Sequence, residues 1–142
     1  MSINLINNLV RGGEIYHTPI DDLESFVWVL LWAIFDTLTK NDIQLTRVEQ
    51  DWFNCLRSNS FEVFRSKGVF INDLPIPQNW STRFLTFVPL LNEWLDLAAQ
   101  ARLVISKLDS SPSTDAQFYK DYYAQYLEIG VRYLDNLPEN WF

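Results

Sequence analysis

One histidine, one cysteine and three carboxylates within four residues are the side chains of this 142-residue sequence that could do chemistry. Asp21, Asp22 and Glu24 could serve as paired acid and base or as metal ligands, and His17 stands just ahead of them. A metal site needs several such ligands converging, and one imidazole supplies only one of them. A Ser-His-Asp arrangement would have to recruit His17, yet no G-x-S-x-G elbow exists. Gly12-Gly13 is not a phosphate loop, because neither the Walker spacing nor a Lys-Ser/Thr pair follows. His17, in a loop that contains Pro19, therefore reads as a structural hydrogen-bonding residue. Cys55 cannot form an internal disulfide and reads as a small core residue on an apolar helical stretch. Asp21 and Glu24, three apart, read as a D-x-x-E capping box that also favours a helix N-terminus through its dipole. No metal and no cofactor is expected.

These residues lie at the mouth of a helix expected over residues 21–40. Residues 26–35 within it are all apolar. A helix hydrophobic all round must be surrounded by others, so this one is the expected centre of the domain. Thr46 and Glu49 form a second capping box, opening a helix through Trp52, Phe53 and Leu56 to about residue 58. Ser60 is expected to cap a short helix ending at Gly68, and Pro75 and Pro77 make residues 69–79 irregular. Ser81 opens the longest helix, with Phe84, Val88, Leu91, Leu95, Ala98, Ile105 and Leu108 at three-four spacing. Pro89 should kink or divide it near Thr86. After a polar loop over residues 109–113, a last helix from about residue 114 carries Phe118, Tyr122, Tyr126 and Leu127 toward residue 136. Residues 2–10 suit a short helical turn, and Trp141-Phe142 are expected to tuck back onto the domain. No segment alternates as a half-buried strand would, so the fold class is all-α, one domain over residues 1–142.

Composition narrows the function. Apolar residues make up 48% and aromatics 15%, enough to build a core. With 18 acidic and 11 basic side chains the net charge is -7. Nucleic acid is bound through Lys and Arg, and anionic membranes repel acidic surfaces, so neither is an expected partner. The longest apolar run is too short to span a bilayer, and the N-terminus does not read as a signal peptide. An intracellular, cytoplasmic location is the corresponding expectation.

Residues 17–32, H-T-P-I-D-D-L-E-S-F-V-W-V-L-L-W, resemble the fungal-type protein kinase family. There a His, a short spacer, D-D-L-E-S and F-x-x-V-L-L-W open the large central helix of the C-terminal lobe, and casein kinases carry a similar D-D-L-E-S. Met1-Ser2 followed by Leu5 is also similar to the stretch that ends the family's activation segment. The resemblance implies helices packed around one buried central helix, like the later helices of a C-lobe. It implies that Asp22 is a structural organiser, accepting hydrogen bonds from the catalytic-loop backbone, with Asp21, Glu24 and His17 beside it. Leu23, Val27, Leu30 and Ile34 would be the central post of the core.

The chemistry of that family needs a glycine-rich loop, a strand lysine, a catalytic-loop Asp and Asn, and the Asp of D-F-G. The sequence contains no H-R-D, no D-F-G and no G-x-G-x-x-G. The chain alone is therefore expected to bind no ATP and to be no enzyme. Its expected role is that of a non-catalytic C-lobe remnant, with its first Met beyond the catalytic motifs, acting as a protein-interaction module that binds a protein or self-associates. The alternatives are one piece of a longer active Ser/Thr kinase whose motifs lie upstream, and an unrelated helical interaction protein.

Overall fold

Proline sets where the first helix begins. The computed structural model describes residues 18–58, 74–107 and 112–137. Helix α1 runs Pro19–Lys40, with Pro19 in its first turn, where a missing N–H is harmless. Thr18 precedes it in extended conformation, and its N–H and hydroxyl both donate to Asp21 Oδ2 at 2.8 Å. The box expected on Asp21 and Glu24 thus sits one turn earlier, on Thr18 and Asp21. Past Lys40, Asp42 takes a left-handed φ of 56°, which Asp tolerates better than most residues.

Helix α2, Arg47–Arg57, opens on the expected box. Thr46 N–H donates to Glu49 Oε2 at 2.9 Å, and Glu49 N–H donates to Thr46 Oγ1 at 3.1 Å. Glu49 is fully buried and does a second job: its Oε1 accepts from Ser81 N–H at 2.7 Å. Thr46 Oγ1 donates in turn to the Asn79 carbonyl at 2.8 Å. One carboxylate therefore ties the start of α2 to the start of the next helical stretch.

That stretch begins with a 3-10 turn, Pro77–Asn79, then α3, Thr82–Leu85, and α4, Val88–Ile105. Ser81 caps α3 by accepting from Phe84 N–H, and the break before α4 falls at Thr86 and Phe87, just ahead of Pro89. Helix α5 spans Pro112–Leu134. It starts two residues before the expected position, because Pro112, assigned to the loop, is suited to a first helical turn. The described residues are all-helical, with five α-helices and no strand. None is long and apolar enough to cross a membrane. The readings for residues 2–10 and 60–73, for His17 and for Trp141-Phe142 lie outside the described residues.

α4 packs against both α1 and α5, and α2 packs on α1. Two apolar clusters result. The larger joins α1 (Val27, Leu31, Phe35, Leu38) to Trp52 and Phe53 of α2 and to Phe84 and Leu91. The smaller joins Ile20 and Leu23 to Ala98 and Ala101 of α4 and to Tyr122 and Tyr126 of α5.

The expectation of a first helix enclosed on every side needs correcting. Val27, Leu31, Phe35 and Leu38 have no exposed surface, but Phe26, Val29 and Trp32 are 59%, 60% and 40% exposed. Among the described residues α2 and α4 pack on the buried side of α1, and the apolar stripe of Phe26, Val29 and Trp32 is exposed. On α5, Tyr126 is buried while its neighbour Leu127 is two-thirds exposed.

Candidate functional site

Two features could carry function: a buried charge cluster at the tip of α1, and the open apolar face beside it. The cluster grows from the capping geometry. With Asp21 turned back onto Thr18, Glu24 lies one turn on and faces α4, where Arg102 meets it. Glu24 and Arg102 form an ion pair, and the Arg102 guanidinium lies 3.8 Å from Asp21 Oδ1. Asp21 and Glu24 are almost wholly buried, and the Arg102 side chain is 29% exposed. Glu24 Oε1 also accepts from the Trp28 indole N–H at 3.3 Å. Burial pushes the Arg102 guanidinium below its usual value, and the neighbouring Asp21 carboxylate opposes that shift. Two carboxylates and one guanidinium, with Tyr122 close by, form a structural clamp between α1 and α4.

Of the organisers implied by the resemblance, Asp22 is exposed, while Asp21 and Glu24 are buried. Of the four residues named for the central post, Leu23, Val27 and Ile34 are buried, and Leu30 is half-buried. His17 is outside the described residues. Arg102 was missed, and spacing gave no signal for it: the buried Ala101 already continues the α4 stripe between Ala98 and Ile105.

Tyr122 and Tyr126 close the α5 side of the cluster, 2% and 7% exposed, and their hydroxyls find no hydrogen-bond partner. Burial raises the Tyr122 phenol to about 12, with Arg102 pulling the other way, and burial raises Tyr126 as well. The fold thus keeps both phenols neutral. Stability is at its full value below pH ~10, where the unfolded phenol starts to ionise, and is lost as pH rises toward 12. Each tyrosine is expected to contribute up to about 1.4 kcal/mol of loss per pH unit in that window. Urea midpoints at mildly and strongly alkaline pH measure this, and Tyr122→Phe should flatten the slope while changing neutral-pH stability little.

The second feature is a groove of about 690 Å³ floored by Phe87, Leu90 and Trp94 and walled by α1 and α5. Phe26, Val29, Leu30 and Ala33 line one wall; Leu127, Val131 and Leu134 line the other. Trp94 anchors the floor. Its indole N–H donates to the Tyr126 carbonyl at 3.0 Å, and its rings stack on Tyr126 at 4.4 Å with 5° between planes. Gly130 leaves room for it, since a Cβ there would come 3.1 Å from the indole and push it back by a few tenths of an ångström. The α5 end is latched by Glu93, which accepts from Arg132 at 2.6 Å and from Tyr133 Oη at 2.7 Å. That bond raises the Tyr133 phenol.

Among the described residues no group of three His, Cys, Asp or Glu is placed to hold a metal ion. No protein-family model matches the chain, and neither a curated protein nor a solved structure matches it.

Proposed function

We propose that this chain is a non-catalytic protein-interaction module that binds through the outward face of α1, on a helical scaffold resembling the later helices of a fungal-type kinase C-lobe. The observation that carries the reading is the stripe Phe26, Val29 and Trp32, exposed along α1 and continuous with an apolar groove. Large exposed apolar surfaces mark places where proteins meet other molecules. The absence of every phosphate- and Mg²⁺-binding motif from the sequence supports a role without phosphoryl transfer.

A second reading, an unrelated helical interaction protein, is favoured by the tip of α1. There the inward carboxylate is Asp21, whereas the kinase resemblance assigns organisation to Asp22, which is exposed. Both readings place binding on the same surface.

Comparing the wild-type chain with Val29→Lys tests the proposal. Wild type is expected to self-associate or retain a protein partner, and the variant to lose that association with an unchanged thermal melt, because Val29 is 60% exposed. Calorimetry with Mg·ATP at millimolar concentration should give no saturable heat. A monomer without partners in both forms, or saturable nucleotide binding, would overturn the reading.

A further inference from the structure

We infer that the groove between α1 and α5 receives a cationic amphipathic α-helix from another protein. The inference rests on the interaction-module reading and names the chemistry of its partner.

Shape argues for a helix. α1 and α5 each pack on α4, and between them each presents an apolar stripe at helical spacing: Phe26, Val29 and Ala33 on one, Leu127, Val131 and Leu134 on the other. Seven residues of helix rise about 10 Å, so each wall is about two turns long. A third helix laid over Trp94 would offer side chains at three-four spacing to both walls, the helix-in-groove mode of recognition. Small-molecule sites of similar volume carry a few convergent polar groups that orient the ligand. Here every lining residue except Trp94 and Tyr126 is aliphatic, Phe or Gly, and the Trp94 N–H is already bonded within the chain.

Charge selects the kind of helix. Glu128 and Asp135 follow Leu127 and Leu134 directly on α5, and both are exposed. They lie one step round the helix from the wall. The described cations flanking the groove are matched within the chain, Lys40 with Asp36 at 2.7 Å and Arg132 with Glu93 at 2.6 Å. A guest helix with Lys or Arg flanking its apolar stripe complements this rim. A second copy of the chain, itself carrying a net charge of -7, would set acidic rims against each other.

The test uses a synthetic peptide of leucine and lysine at helical spacing, its leucine–glutamate counterpart, and a scrambled lysine peptide, each titrated into the full chain by calorimetry. The lysine helix is expected to bind one-to-one, and the other two at least about tenfold more weakly. Val131→Lys, and independently Leu127→Lys, should weaken binding about tenfold or more with no change in the melt, since both residues are mostly exposed. The double variant Glu128→Lys/Asp135→Lys should transfer preference to the glutamate helix. Because that variant stays acidic overall, attraction to net charge alone predicts no transfer. Equal binding of the scrambled peptide, insensitivity to Val131→Lys, or displacement of the lysine helix by dodecanoate would overturn the inference. Dimerisation that Val131→Lys abolishes would overturn it too, while leaving the interaction-module reading intact. A monomer that binds no peptide and loses nothing on Val29→Lys would end both.

Discussion

Arg102→Met is expected to destabilise the fold by about 3–5 kcal/mol, because it removes a cation paired with two buried carboxylates. Asp21 and Glu24 have no more than 1% of their side chains exposed, and Arg102 is a cation that faces both. The cost is that of carboxylates kept out of water with one fewer charge to offset them. Two consequences separate this account from simple loss of packing. The deficit should shrink as pH is lowered, since protonation neutralises carboxylates that have lost this cation. It should also shrink in the double variant Glu24→Gln/Arg102→Met, which removes one charge from each side of the pair. Urea denaturation of the four proteins in this cycle, at neutral and mildly acid pH, measures both. A deficit independent of pH and of Glu24→Gln would mean that Arg102 acts through its aliphatic stem alone.

Phe35→Ala should cost a similar amount, about 3–5 kcal/mol, for an unrelated reason. The Phe35 ring has no exposed surface and sits where three helices meet. It stacks on Phe84 of α3 at 5.1 Å and 24°, and meets the edge of Phe53 of α2 at 6.2 Å and 65°. Phe84 continues the array to Trp80 at 4.6 Å. Emptying this position removes the transfer free energy of the ring and leaves a cavity that stacked aromatics cannot easily collapse to fill. Phe35→Leu should recover most of the loss. Thermal melts of the three proteins check the order, and a Phe35→Ala melt close to wild type would contradict the packing described.

What could be read from the residues alone divides along the range of the interactions. The cap at Thr46–Glu49, the start at Ser81 and the break ahead of Pro89 were legible because each is settled within one helical turn. The start of α1 was displaced by a turn because two overlapping boxes compete, and a proline in the first turn favours the earlier one. The outer stripe of α1 was misjudged because periodicity reports which residues share a face, but not whether a neighbour covers it. Arg102 was not legible at all, since the carboxylates it pairs with belong to a helix far up the chain. The second use of Glu49, as acceptor for Ser81, was invisible on the same grounds.

That second use has a consequence for how the chain can change. Glu49 and Thr46 fasten Ser81 and Asn79 across an interval of more than thirty residues, so they hold together two points far apart in the sequence. Chain-closure entropy rises only with the logarithm of the length enclosed, about 0.6 kcal/mol for each doubling. With those two points fastened to each other, adding residues between them would therefore carry little entropic cost.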